Sequence, residues 1–219
     1  MVRIALIPVK DLPLAKARLA PVLDDAGRRE LAMAMYRDVL AAALACPNID
    51  SVAVVTRDTD ALAVAAEAGA EGLPEPGGLN EALTSAAEKM AQRGATELVV
   101  LASDLPLAKA DEIAAVIGAE ADVAIVPAAD GGTNALALPA GGIAFQFGPE
   151  SASKHLAAAR EAGFRSMRLD LPALAFDIDS PDDLARLRAT ESSASIGPHT
   201  VEALGRLAAQ RSVGSERTR

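Results

Sequence analysis

Three cations follow the first apolar run of the chain and could bind a phosphorylated ligand. The run Arg3–Pro8 has the β-branched, apolar composition of a buried parallel strand, and Lys10, Lys16 and Arg18 lie in the loop after it. Ligands of open α/β sheets bind at the carboxyl ends of the strands, so cations gathered there indicate a polyanion such as a nucleoside triphosphate. A solvated surface loop can carry the same residues, and the loop alone leaves that alternative open.

Acidic residues after two later apolar runs are candidate ligands of a hard divalent cation. Asp104 follows Glu97–Ala102, and Asp177 and Asp179 point to the same side if their segment is extended. Carboxylate oxygens suit such a cation, which can in turn bind phosphates. The structural alternatives are a turn at Asp104 and a helix cap at Asp179 or Ser180.

Two further groups of small and polar residues could contact substrates. Gly78 allows close backbone approach to a base and Asn80 offers an amide, although on their own a turn at Gly78 and a helix cap at Asn80 explain them better. Thr133 and Gly148 precede Ser151, which begins a helical pattern and so suits a phosphate or carboxylate, or simply caps that helix.

Histidine and cysteine chemistry is not favoured. His155 could contact substrate from one turn into the helix that Ser151 begins, although a surface histidine is the more common case, and His199 lies in the tail. The single cysteine, Cys46, excludes a disulfide framework and a thiolate zinc site.

Composition limits the classes of protein further. The chain has 219 residues, 51% hydrophobic and only 2% aromatic, which suits one α/β domain with an aliphatic core. A net charge of −9 argues against nucleic acid and anionic membranes as partners. The N-terminal apolar run is too short for a signal or a membrane span, and we expect a cytoplasmic protein.

Apolar runs alternate with helical patterns, which predicts a mostly parallel sheet with helices on both faces. The predicted strands are Arg3–Pro8, Ser51–Thr56, Glu71–Leu73, Glu97–Ala102 and Asp122–Pro127, and the predicted helices are Asp25–Ala45, Thr59–Ala68, Leu79–Arg93 and Lys109–Gly118. A smaller mixed extension follows, with strands at Asn134–Leu138, Ile143–Phe147, Arg165–Asp170 and Leu174–Ile178 and helices at Ser151–Ala162 and from Ser180 to about Arg188.

The expected architecture is a single three-layer α/β domain over residues 1–189. Residues 190–219 are rich in Ser, Thr, Arg and Gly and are expected to form a tail, with one short helix near Thr200–Gln210.

In order along the chain, these motifs resemble the CofC/FbiD family, the guanylyltransferases of coenzyme F-420 biosynthesis. That family is related to the molybdenum-cofactor nucleotidyltransferases and has a GT-A-like, Rossmann-like fold. The resemblance covers residues 3–188 and lies in Ile7–Lys10 with Ala15–Leu19, Gly78–Asn80 with Ala82 and Leu83, Asp104–Leu107, Gly132–Leu136, Phe147–Pro149 with Ser151, and Asp177–Pro181.

The resemblance implies that GMP is transferred from GTP to a small phospho-acid with release of pyrophosphate. The acceptor would be phosphoenolpyruvate, 2-phospho-L-lactate or 3-phospho-D-glycerate. By position, it implies acceptor binding by Thr133, Gly148 and Ser151. It further implies nucleotide binding by Pro8, Lys10, Lys16, Gly78 and Asn80, Mg²⁺ at Asp104, Asp177 and Asp179, and catalytic roles for Lys16, Arg18 and Asp104.

The implied partner is the transferase that joins the product to the deazaflavin Fo, and a homodimer is left open. The alternatives are a nucleotidyltransferase for another nucleotide or acceptor, and a nucleotide-binding module without catalysis. A phosphoacceptor signalling domain also has acids at strand ends, but it would leave the segments around Thr133 and Phe147 without a role.

Overall fold

The computed structural model describes residues 1–10, 12, 16–74, 77–190 and 195–216. Ala15 of the cationic loop, and Glu75 and Pro76 beside Gly78, lie outside the described residues. The strands are β1 (Arg3–Pro8), β2 (Ser51–Val55), β3 (Glu71–Leu73), β4 (Glu97–Leu101), β5 (Val123–Pro127), β6 (Thr133–Pro139) and β7 (Ser166–Arg168). The helices are α1 (Asp25–Ala45), α2 (Thr59–Glu67), α3 (Leu79–Gln92), α4 (Ala110–Ile117), α5 (Ser151–Glu161), α6 (Pro181–Ala189) and α7 (Pro198–Glu216).

The strands form one mixed sheet in the order β3-β2-β1-β4-β6-β5-β7. Only β6 runs against its neighbours β4 and β5, and the other pairs are parallel. Reversal of β6 places its first residues at the sheet edge where the parallel strands end, since Ala135 pairs with Leu101 at the end of β4. The predicted mostly parallel α/β fold is therefore confirmed.

Helices cover both faces of the sheet, as the three-layer prediction requires. On one face α1, α2 and α4 pack against aliphatic side chains such as Ile7, Val54 and Leu101. On the other, α3 and α5 pack against a second set that includes Leu6 and Val100. Successive residues of a strand thus point to the two faces of the sheet in turn, and both faces are buried under helices. This burial explains why the strands are continuous apolar runs in the sequence.

Two of the predicted strands are wrong. Ile143–Phe147 is irregular because side chains take the place of a neighbouring strand: the backbone N–H of Gln146 donates to His155 and that of Phe147 to Asn80. Leu174–Ile178 begins in a turn, where the N–H of Leu174 donates to the carbonyl of Leu171 at 3.1 Å.

The C-terminal helix α7 packs against α1 and extends beyond the predicted Thr200–Gln210. Asp38, a buried acid of α1, accepts hydrogen bonds from the backbone N–H groups of His199 and Thr200 and from the Thr200 hydroxyl. This carboxylate satisfies free N–H groups in the first turn of α7. The domain boundary at residue 189 stays a prediction.

A third apolar cluster lies between the sheet edge and helices α1, α6 and α7. It includes Leu19, which follows the cationic loop, and Ile178, which lies between two of the predicted metal ligands. Leu204 of α7 belongs to the same cluster. Helix α7 therefore buttresses two segments that carry predicted site residues.

Across the described ranges, no helix combines the length and the apolar character needed to cross a lipid bilayer.

Candidate active site

A pocket of about 480 Å³ opens at the edge where β1 and β4 end and β6 begins. The structure brings nine of the predicted site residues to its walls: Pro8, Lys10, Lys16, Asp104, Thr133, Gly148, Ser151, Asp177 and Asp179. Arg18, Gly78 and Asn80 are not among its lining residues. The predicted residues thus lie at one edge although their positions span most of the sequence.

Three carboxylates meet on one side of the pocket. Asp104, Asp177 and Asp179 each offer an oxygen, and these oxygens lie within 4.8 Å of one another. Burial, followed by the charge of Asp104, raises the pKa of Asp177 to about 6. The Asn134 amide donates to Asp177 at 3.3 Å. Crowded, partly buried carboxylates of this kind form a donor set that fits a hard divalent cation.

Lys16 is the counter-charge of this cluster. Its side chain is only 7% exposed, and its ammonium group donates to Asp104 and, at 2.8 Å, to Asp179. Burial acts to lower the pKa of Lys16, but the charges of Asp104 and Asp179 outweigh it and raise the pKa. Lys16 also has a positive φ of 57°, an uncommon conformation for a residue with a side chain. Lys16 therefore adopts this left-handed conformation while its ammonium group contacts Asp104 and Asp179.

Lys10 and Arg18 are exposed cations whose charges act on Asp179. Burial acts to raise the pKa of Asp179, but the nearby charge of Lys16, supplemented by Lys10 and Arg18, lowers it overall. Arg18 lies in a short 3-10 turn held by the fully buried Leu19. Two cations are therefore free to face solvent near the pocket mouth.

Two hydroxyl-bearing residues, Thr133 and Ser151, also line the pocket. Thr133 Oγ1 at the start of β6 lies 2.9 Å from Ser151 Oγ at the start of α5, and 3.1 Å from His155 Nδ1. All three side chains are buried. The prediction that the start of α5 offers backbone N–H groups to an anion has little support here, because those of Ser151 and Ala152 donate to Gly148 and Gly131 at 3.2 Å each. The Thr133 and Ser151 hydroxyls can donate to a ligand in the pocket that they line.

Asn80 does not line the pocket, because its amide is committed to the loop that carries Gly148. Its Oδ1 accepts from the Phe147 N–H at 2.8 Å, and its Nδ2 donates to the Phe147 carbonyl at 3.1 Å. Gly148 follows with a φ of +133°, which favours glycine. Asn80 therefore links α3 to the loop that carries Gly148.

Sequence reasoning missed two residues of the site. Asn134 contacts Asp177, and its place directly after Thr133 in the Gly-Thr-Asn motif was the available signal. For His155 the sequence leaves substrate contact open beside the more common surface position, but the residue is buried, and its ring packs edge-on against Phe147 at 5.0 Å between centroids. The residues around His155 carry no comparable signal, because its burial depends on the loop of Gln146 and Phe147, which contacts its ring.

Solved structures share the fold of this chain. The structure matches that of a Desulfovibrio desulfuricans G20 protein assigned to the nucleotide-diphospho-sugar transferases, with a TM-score of 0.76 and 21% identity over 95% of this chain and 96% of that chain. A mixed sheet of this order, with the acids at one edge, is a nucleotidyltransferase fold of the GT-A-like kind.

The chain belongs to the Guanylyl transferase CofC like family, whose model matches residues 3–195. A phosphoenolpyruvate guanylyltransferase of Rubrobacter xylanophilus is 42% identical over 192 residues, covering 85% of this chain and 93% of that protein. One of Roseiflexus castenholzii is 43% identical over 185 residues, covering 84% of this chain and 86% of that protein. The family resemblance expected from the motifs is confirmed.

Proposed function

We propose that this protein transfers GMP from GTP to phosphoenolpyruvate and releases pyrophosphate, as a step in coenzyme F-420 biosynthesis. The family and the names of its relatives support this activity. The observation that carries the proposal is that one pocket is lined by two chemically different groups of residues. We call the acids and cations the charged half of the pocket and the buried hydroxyls the hydroxyl half.

The charged half suits the triphosphate. Asp104, Asp177 and Asp179 would hold Mg²⁺, which supplies charge neutralisation to the triphosphate when it is bound. Lys10 and Arg18 lie near these acids and would contact phosphate oxygens. Lys16 offsets the charge of the acids and keeps Asp104 and Asp179 on one side of the pocket. Nucleotide binding by Pro8 and Gly78 is part of the same proposal.

The hydroxyl half suits the acceptor. Thr133 and Ser151, with the backbone of Gly148, would hold the phospho-acid so that its phosphate faces the nucleotide. An oxygen of that phosphate attacks the α-phosphorus of GTP, a new P–O–P bond forms, and the bond to pyrophosphate breaks. The attacking phosphate is already ionised near neutral pH, so the step needs no general base. Positioning and charge neutralisation account for catalysis of this kind.

The same site could accept 2-phospho-L-lactate or 3-phospho-D-glycerate, which share the phosphate and the carboxylate. We place the enzyme in the cytoplasm, upstream of a transferase that joins the product to Fo. The buried, unpaired Cys46 is in keeping with a reducing compartment.

The test is pyrophosphate release by the full chain. GTP, ATP, CTP and UTP are each combined with the three phospho-acids, with Mg²⁺ or with a chelator. We expect turnover with GTP and phosphoenolpyruvate, and loss of turnover on chelation.

Asp104→Asn should lower kcat at least about 100-fold. Asp182→Asn is the matched control, because Asp182 is exposed on α6, three residues from Asp179. Full activity of Asp104→Asn would remove Asp104 from the metal site, and absence of turnover with every pair would refute the proposed function.

A further inference from the structure

A buried histidine contacts the hydroxyl half of the pocket through Thr133, and its two ring nitrogens have different partners. His155 Nε2 accepts the backbone N–H of Gln146 at 2.9 Å. His155 Nδ1 lies 3.1 Å from Thr133 Oγ1. A backbone N–H can only donate, whereas a hydroxyl can donate or accept. The partner of Nε2 therefore fixes where the ring carries its proton.

Because Nε2 accepts a hydrogen bond, it carries no proton, and the neutral ring must carry its proton on Nδ1. Nδ1–H then donates to Thr133 Oγ1. Burial, assisted by the charge of Lys154, lowers the pKa of His155 to about 4, in keeping with a neutral ring near pH 7. The peptide group of Gln146 thus selects one tautomer of His155.

The tautomer decides what the two hydroxyls can offer a ligand. With Nδ1–H donating to Thr133, the Thr133 and Ser151 hydroxyls hold two protons, and the 2.9 Å bond between them uses one. The second remains to be donated into the pocket that both residues line. In the opposite tautomer, Thr133 would donate to Nδ1 and Ser151 to Thr133, and no proton would remain.

We infer that His155 is a positioning residue that makes the Thr133–Ser151 pair a hydrogen-bond donor toward the pocket. The pair therefore suits a ligand oxygen that accepts a hydrogen bond, such as that of a phosphate or a carboxylate. Naming this ligand as the phospho-acid acceptor rests on the proposed function. The direction of the hydrogen bonds rests on the geometry of His155, Gln146 and Thr133 alone.

The same ring holds the loop that carries Gly148. His155 binds this loop at Gln146, and Asn80 binds it at Phe147 on its other side. Substitution of His155 can therefore act through the loop or through Thr133, and an experiment must separate the two effects.

Two variants make this separation. In His155→Gln, the side-chain carbonyl can reach the place of Nε2 and accept from Gln146, but nothing replaces Nδ1. In His155→Asn, the side-chain amide can take the place of Nδ1 and donate to Thr133, but the bond to Gln146 is lost. His199→Gln is the control, because His199 is the other of the two histidines and lies on α7.

The first measurement is the nitrogen-15 spectrum of the histidine rings in the full chain, with His199→Gln used to assign the His155 signals. We expect the His155 proton on Nδ1. The second is steady-state kinetics. In His155→Gln, the KM of the phospho-acid should rise about tenfold, while kcat and the KM of GTP stay within about twofold. His155→Asn should keep the acceptor KM within about threefold of the wild-type value.

A proton on Nε2, equal effects of the two variants on the acceptor, or a rise in the KM of GTP instead would overturn the inference. If no phospho-acid is turned over, the proposed function is refuted. The nitrogen-15 spectrum still tests whether His155 carries its proton on Nδ1. Calorimetric binding of phosphoenolpyruvate to the two variants then decides whether the site selects an anion. The outcomes that contradict the two proposals are therefore distinct.

Discussion

The buried His155 predicts a specific dependence of stability on pH. Burial and Lys154 lower its pKa from 6.5 to about 4 in the folded protein. Between these values the unfolded chain binds a proton that the folded protein does not, so stability decreases as pH falls. The contribution of neutral His155 to the stability of the folded protein is complete above pH 6.5 and is lost as the pH falls to about 4. From about pH 7.5 to about pH 5, this difference amounts to about 2 kcal/mol in the free energy of unfolding.

Asp177 complicates the measurement in the wild type, because its raised pKa of about 6 acts in the opposite direction. A carboxyl group whose pKa is raised on folding becomes less destabilising as pH falls. The effect of His155 is therefore read as the difference between the wild type and His155→Gln, in which Asp177 is unchanged.

The assay is urea unfolding of both proteins at the two pH values, with a chelator present. The free energy of unfolding that His155→Gln loses relative to the wild type should be about 2 kcal/mol smaller at about pH 5 than at about pH 7.5. His199→Gln serves as the control and should show no such change. A cost that stays constant within about 0.5 kcal/mol would refute the argument, because it would mean that His155 titrates alike in the folded and unfolded chains.

Three further substitutions test other contacts. Lys16→Met leaves Asp104 and its neighbours without their counter-charge, so the metal-free protein should lose about 1–2 kcal/mol, and added Mg²⁺ should raise the melting temperature more than in the wild type. Asn80→Asp keeps the acceptor for the Phe147 N–H but sets a carboxylate against the Phe147 carbonyl. Thermal unfolding should show a loss of about 1–2 kcal/mol, and the acceptor KM should rise. Asp38→Ala removes the acceptor at the start of α7 and should cost about 2 kcal/mol, with faster proteolysis of α7.

Each of these expectations has a contrary result. An equal Mg²⁺ response of Lys16→Met and the wild type would mean that the lysine does not compete with a cation for the acids. An unchanged acceptor KM in Asn80→Asp would mean that the loop keeps its position without the amide. Unaltered proteolysis of Asp38→Ala would mean that α7 keeps its place without the hydrogen bonds of Asp38.

The sequence predicts the elements that depend on local patterns. Helix α1 has the predicted limits, and β1 ends at Pro8 as expected. Ser180, one of the two caps considered, begins α6 as its N-cap, with Pro181 at N1 and Asp183 at N3. In each case, the signal lies within a few neighbouring residues.

The failures depend on contacts that are distant in sequence. Ile143–Phe147 has strand-like composition, but its backbone partners include Asn80, which lies 67 residues from Phe147. The convergence of Asp104, Asp177 and Asp179 could be expected from the sheet edge. The burial of His155 could not, because it requires the position of a loop rather than a periodic pattern.

The bonds of Lys16 also have a consequence for the order in which the molecule assembles. Its ammonium group joins Asp104, 88 residues away, and Asp179, 163 residues away. Closing loops of this length costs entropy, and contacts of large sequence separation form slowly. During synthesis, the acid cluster cannot be complete until residue 179 has left the ribosome, by which time α1 through α5 can already have formed. A refolding chain should therefore regain its helical signal before it regains a pocket able to hold a divalent cation.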